Sequence, residues 1–270
     1  MTNQNRLRSL PGVISLEAWH KSFSPKLGRT DLHVDVAFMT GRLGGEPDDD
    51  VRFQLSLKQA QVVVIIPAAE PARFDTASVS RDTPNQTVKI TETRQSSGRA
   101  KAGARLGLST VPQALQMKAD LGVEGSISRD QVTAITQQLH AMSLVHSKVD
   151  DGHAWTVTPT GSETLFGRPW NAGKEPRLKV IDQRNDRSSP IAPAIHVEVR
   201  CLRQDLHITD IRLKDEAAWS VLMAGAQQRN RIAAAEALIR TKLFEEGLFK
   251  GNVSDHYAQM TLAAIVAEAV

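Results

Sequence analysis

The stretch Leu32-His33-Val34-Asp35-Val36-Ala37-Phe38 alternates large apolar residues with polar or small ones. A period of two puts Leu32, Val34, Val36 and Phe38 on one side of an extended chain, which is the pattern of a half-buried strand. The pattern recurs in both directions from this point. Phe53, Leu55 and Leu57 alternate with Arg52, Gln54, Ser56 and Lys58. Val62-Val63-Val64-Ile65-Ile66 is a continuous β-branched run and suits a strand covered on both faces. Leu144–Val149 and Ala154–Thr158 flank Asp150-Asp151-Gly152 and read as a hairpin, with Asp151-Gly152 suited to a turn that needs positive φ. Between glycines and prolines at 161–176, Phe166 and Trp170 read as anchors. Leu178 and Val180, then Ile195, Val197, Val199 and Cys201, then Leu206, Ile208 and Ile211 mark three more short strands.

The cleanest alternation lies at 102–127. Ala102, Ala104, Leu106 and Leu108 share one parity, and Leu115, Met117, Ala119, Leu121, Val123 and Ile127 share another such run. Two adjacent segments of this kind read as antiparallel strands with one buried and one wet face. A hairpin rich in Ala, Gly and Ser is also what a multi-chain membrane β-barrel uses, but the flanking aromatic girdle is missing. Residues 128–142 read both ways: Ser128-Arg129-Asp130-Gln131 has the form of a capping box, yet Ile135, Leu139, Ala141 and Val145 keep strand parity.

Composition shifts at about residue 214. The proline-free stretch 214–248 is rich in Ala, Glu, Gln, Arg and Leu and reads as one or two helices. Trp219, Leu222, Met223 and Ala226 form one apolar stripe, and Ile232, Ala235, Leu238, Ile239 and Leu243 form another. Gly247 and Gly251 are stops, and Ser254 could cap a last helix carrying Leu262, Ile265 and Val266. The expected fold is therefore α+β. It comprises an N-terminal arm (1–29), a predominantly antiparallel, sandwich-like β domain (30–212) and an α-helical C-terminal segment (213–270).

Composition narrows the function classes. With 41% hydrophobic and 23% charged residues, the chain is of ordinary globular make-up. Aromatic residues are 4% with one tyrosine, too few for a base-stacking platform. A net charge of +3, from 33 basic and 30 acidic side chains, compels neither nucleic acid nor an anionic membrane as partner. The single cysteine, Cys201, precludes an intrachain disulfide and a cysteine-rich zinc site. No signal-peptide pattern follows Met1, and the longest apolar run, 62–69, is too short for a membrane-spanning helix. A cytoplasmic location is the expectation.

Enzyme motifs fail one by one. Gly103 to Thr110 has glycines spaced loosely like a phosphate loop but lacks its lysine, and its alternation explains it as a strand. His196-Val197-Glu198 resembles half of a deaminase zinc motif whose other half needs two cysteines. Glu46, Asp48, Asp49 and Asp50 supply oxygen ligands without the spacing of an EF-hand and read as a solvated loop. His140 and His146 flank an apolar stretch, and His196 and His207 are expected on paired strands. No cofactor and no metal is expected.

One string resembles a known family. Leu139 to Val145, Asp151-Gly152 and Thr158-Pro159-Thr160-Gly161 resemble the second half of a bacterial winged-helix regulator. The resemblance covers 113–161 and implies a recognition helix over 128–142, a wing over 144–157, and DNA contact through Arg129. The wing tip, Asp150-Asp151, would repel phosphates. Arg94, Arg99, Lys101 and Arg105 form a second basic feature, readable as a nucleic-acid patch or as a charged strand edge.

Three function classes remain. The first is a non-enzymatic binding or assembly module, partnered by itself or another protein, self-associating through Trp219, Leu222, Ile232, Ile239 and Leu243. The second is a nucleic-acid-binding regulator using 113–161, and the third is an enzyme with a dispersed site.

Overall fold

A computed structural model describes residues 7–23, 28–81, 142–149, 152–185, 191–214, 224–248 and 258–270. All belong to the unit formed by Met1–Gln86 and Leu139–Val270. The expectations for 82–141, including both alternating segments and the recognition helix, lie outside the described residues.

Fourteen strands, one α-helix and two short 3-10 helices are assigned among the described residues. In chain order the strands are β1 (Arg8–Ser9), β2 (Ile14–His20), β3 (Arg29–Phe38), β4 (Gly41–Gly44), β5 (Val51–Leu57), β6 (Ala60–Ile65) and β7 (Ala72–Asp75). After the undescribed stretch come β8 (Met142–Val149), β9 (Gly152–Pro159), β10 (Leu178–Asp182), β11 (His196–Leu202) and β12 (Leu206–Leu213). Helix α1 (Ala224–Glu245) follows, then β13 (Gln259–Val266) and β14 (Glu268–Ala269).

These strands make a six-stranded sheet (β1-β13-β11-β6-β9-β8), a five-stranded sheet (β14-β2-β3-β10-β7) and a three-stranded sheet (β12-β5-β4). Pairing is antiparallel except for the short β14–β2 contact. The predominantly antiparallel β architecture and its sandwich-like layering thus agree with the sequence. Leu16, Val34, Val36 and Phe38 of the five-stranded sheet share one hydrophobic core with Val62, Val64, Trp155, Val197 and Val199 of the six-stranded sheet. β6 sits centrally between β11 and β9, and Val62, Val63 and Val64 are all fully buried, as a continuous β-branched run requires.

A bent two-stranded ribbon joins two of the sheets. The β6–β11 ladder ends at Gln61↔Arg200, and the β5–β12 ladder resumes at Leu57↔Leu206. The Lys58 N–H donates to the Asp205 carbonyl across the corner at 2.8 Å. Helix α1 packs on β5 and β12, with Ala235, Ile239 and Leu243 joining the common core. Its end is closed by Gly247 at φ 66°, where the Gly247 N–H donates to Phe244 O and the Leu248 N–H to Leu243 O. That pattern satisfies orphan carbonyls while Leu248 buries beside Leu243, and the left-handed φ is why glycine is there.

Several expectations are corrected. The C-terminal segment is helical only in part: 259–266 is strand β13, inserted between β1 and β11. The residues expected on a last helix instead satisfy backbone groups on two neighbours, with Leu262 fully buried. The residues before 30 contribute β1 and β2 to the two large sheets. Leu165, not Phe166, is the buried anchor of the 161–176 loop, and Phe166 is 73% exposed. Trp170 does anchor, fully buried with its Nε1–H donating to Val34 O at 2.5 Å. Gly152 does not serve a positive-φ turn. It opens β9, where a Cβ would lie 2.0 Å from Val64 O, so glycine is required by backbone approach. No helix among the described residues is long and apolar enough to cross a membrane.

Candidate functional site

The three-stranded sheet carries exposed arginines on its outer face and a cleft at its end. On one side of the sheet, Val51, Phe53, Leu55, Leu57 and Leu43 face the core. The alternate positions Arg42, Arg52 and Gln54 therefore face outward on β4 and β5. On β12 the parity changes midway. Thr209 pairs with Gln54 and Arg212 with Arg52, so two residues, Asp210 and Ile211, oppose the single Phe53. This bulge is built on Asp210 at φ 51°, the one non-glycine residue with positive φ among those described. Asp tolerates the left-handed region better than most residues, at a cost of order 1 kcal/mol.

The bulge has an electrostatic consequence. In a regular ladder Ile211 would stand opposite Arg52; the extra residue brings Arg212 there instead. Like charges directly opposite destabilise a sheet. Arg42 adds a third cation on the same face, paired with Gln54. All three arginines are exposed, and none forms a hydrogen bond or ion pair with a described residue.

At the end of this face lies a cleft of about 410 Å³, lined by Gly45, Glu46, Pro47, Asp49, Val51, Arg52 and Arg212 through Lys214. Lys214 is held in its wall: its Nζ donates to the Pro47 carbonyl and its N–H to Asp50 O. The acidic loop is partly satisfied by itself, with the Glu46 N–H donating to Asp49 Oδ2 at 3.1 Å.

The helix presents a different surface. Ala235, Ile239 and Leu243, spaced four apart, face the sheet, and Arg203 clamps the helix through a bidentate ion pair with Glu236. The opposite side carries Asn230, Ala233, Ala237, Thr241 and Phe244, all exposed, with Phe244 73% accessible.

A third cluster lies on the six-stranded sheet. His146 on β8 and His153 on β9 share a hydrogen bond, Nε2 to Nδ1 at 2.9 Å, with rings stacked at 5.1 Å. Phe74 meets His153 edge-on at 5.0 Å. Burial lowers both histidines below their ordinary 6.5. Arg81 adds to this at His146; His146, Lys148 and Arg81 add to it at His153. The Cys201 thiol is pushed well above its ordinary range, chiefly by complete burial, which makes it unreactive.

The sequence-predicted residues are placed as follows. Arg94, Arg99, Lys101, Arg105, Arg129, Trp219 and Leu222 lie outside the described residues. Ile239 and Leu243 belong to the chain's own core because their face of the helix covers β5 and β12. Ile232 is 38% exposed at the start of the same stripe. His196 and His207 are not on paired strands, since β11 and β12 belong to different sheets. The hairpin read as a wing is β8–β9, and β9 is bonded on its other edge to β6, so it lies within the sheet and does not project from it. Glu198 is buried in an ion pair with Arg200 at 2.8 Å. Among the described residues no three His, Cys, Asp or Glu side chains are grouped to hold a metal.

Sequence reasoning missed the opposed arginines. Arg52 was legible as the wet parity of its strand. The signal for the bulge is the step from Ile208 to Ile211, where the period of two breaks. No protein-family model and no curated protein matches the chain.

Proposed function

We propose that this protein is a non-enzymatic binding and assembly module that self-associates through the outer side of α1. The observation that supports this reading is the exposed stripe Ala233-Ala237-Thr241 ending in Phe244, on a helix whose other side packs through Ala235, Ile239 and Leu243. Small side chains four apart let a second helix approach closely, and a protruding phenylalanine supplies the apolar anchor. Ion pair Arg203–Glu236 and the Gly247 cap hold the helix rigid, which lowers the cost of ordering it on association. The interface is thereby moved from the stripe expected from sequence to the face turned away from the sheet.

Size-exclusion chromatography with light scattering tests the reading on the full chain. Burying Phe244 in a two-fold interface counts twice, about 4 kcal/mol in all, so Phe244→Glu should weaken association by roughly a thousandfold. Ala237→Glu, which blocks close approach, should act in the same direction with the fold intact by circular dichroism. A monomeric wild-type chain, or an oligomer indifferent to both substitutions, overturns it.

A further inference from the structure

We propose that the cleft between the 46–50 loop and the β5–β12 ladder binds a small ligand bearing a phosphate group, held between Arg52 and Arg212. The inference is independent of self-association, because it uses the side of the sheet that α1 does not cover.

Two unfavourable features coincide at this place. Arg52 and Arg212 stand directly opposite each other on adjacent strands, and no described acidic group neutralises either. The residue that brings them into register, Asp210, holds a left-handed backbone conformation unusual for a non-glycine residue. A chain folded for stability alone would keep a regular ladder with Ile211 opposite Arg52. Bulges that re-aim a side chain beside a cleft commonly serve a binding site.

The chemistry of the gap defines the ligand. Two guanidinium groups facing one space present a double fork of N–H donors, which suits a tetrahedral oxyanion with several acceptor oxygens. One negative charge would leave the opposed pair undercompensated, whereas a phosphate monoester carries close to two near neutral pH. Gln54 and Thr209, cross-strand partners on the same face, add neutral hydrogen-bonding groups, and Arg42 adds a further cation. The volume, about 410 Å³, is that of a small-molecule site.

The surroundings argue for a compact ligand over a long polyanion. Glu46 and Asp49 line the cleft together with Arg52 and Arg212, and Asp210 lies exposed at the bulge. A nucleic-acid strand would bring several phosphates among these carboxylates, whereas a single phosphate needs only the space between Arg52 and Arg212. Glu46 and Asp49, which line the same cleft, favour a polar, non-anionic remainder of the ligand.

The test uses inorganic phosphate as the probe, added to the full-length protein at constant ionic strength set with chloride. Phosphate should raise Tm saturably and bind with one site per chain by calorimetry. Arg52→Gln and Arg212→Gln should each weaken that binding at least tenfold, while Arg73→Gln, an exposed arginine on β7 of equal charge, should leave it unchanged. In phosphate-free buffer the Arg212→Gln protein should melt higher than wild type, because the opposed cations are then relieved; this arm reads the repulsion even if phosphate binds weakly. A phosphate effect that chloride reproduces, that survives both substitutions, or that Arg73→Gln abolishes equally would overturn the proposal. So would tighter binding of a single-stranded oligonucleotide than of phosphate with the same dependence on Arg52 and Arg212.

Discussion

Arg177 allows a sharp test of how this fold tolerates a buried charge. Its side chain is fully buried, its guanidinium carbon lies 4.5 Å from the Trp170 ring centroid, and Nη2 donates to Glu175 at 3.3 Å. Nε and Nη1 have no hydrogen-bond partner among the described residues. Burial pulls the guanidinium down to about 10 from 12.5, with Glu175 acting in the opposite direction. That drop corresponds to about 3 kcal/mol against the charged form. That figure already contains the attraction of Glu175, and the ring stacking returns about 2 kcal/mol, so the cation costs on the order of 1 kcal/mol net. Arg177→Met, of similar shape and with no charge, should therefore leave the unfolding free energy unchanged or raise it by up to about 2 kcal/mol. Glu175, which is 40% exposed, is left in water at little cost. Trp170→Leu with Arg177 intact should cost about 3–5 kcal/mol, since it opens a cavity, removes the bond to Val34 and leaves the cation without its ring. The double variant should then be more stable than the single effects add up to, by about 1–2 kcal/mol. Urea denaturation with unchanged m-values reads all three. If Arg177→Met alone lost more than about 2 kcal/mol, the guanidinium would be a net stabiliser and the reasoning would fail.

Four further outcomes follow from the same geometry. His146 and His153 bind protons less readily folded than unfolded, so the unfolded chain takes up more protons as pH falls below about 6.5 and stability declines. Each histidine contributes at most about 1.4 kcal/mol per pH unit, and the loss levels off once pH lies below the folded values; the double variant His146→Gln/His153→Gln should flatten a plot of Tm against pH between 5 and 7 in this region. Gly152→Ala places a methyl 2.0 Å from Val64 O in the centre of a sheet and should destabilise by on the order of 3 kcal/mol or more in denaturant titration, whereas an alanine at a merely flexible turn would not. Phe244→Glu should dissociate the oligomer without lowering Tm of the monomer. Arg212→Gln should weaken phosphate binding at least tenfold while raising phosphate-free Tm.

Much of the β architecture was legible because strand burial leaves a local trace. Leu32 through Phe38 and Phe53 through Leu57 alternate because one face of each strand is dry, and Val62 through Val64 do not alternate because both are. Gly247 was legible as a helix stop for a similarly local reason, since few other residues adopt φ 66° cheaply. Residues 259–266 were misread because Leu262, Ile265 and Val266 fit a helical period as well as a strand. Only the vacant edges of β1 and β11 decide between the two. Gly152 was noticed for the wrong reason, its true constraint being a carbonyl on β6, far away in sequence.

The candidate sites divide along the same line. The amphipathic character of α1 was written in its sequence, but which stripe would face the sheet was not. Ile239 and Leu243 read as an interface because apolar spacing does not say whether the partner is the same chain or another. The opposed arginines lie some 160 positions apart and meet only through the β5–β12 register, which one extra residue at Asp210 sets. The sequence by itself determined the antiparallel β class, the strands β3, β5, β6, β8, β9, β10, β11 and β12, and a helix within 214–248, because period, propensity and capping act over a few residues. Tertiary structure alone decided the sheet order, the insertion of β13, the inward face of α1 and the meeting of Arg52 with Arg212. Those depend on hydrogen-bond register and burial between segments that share no local signal.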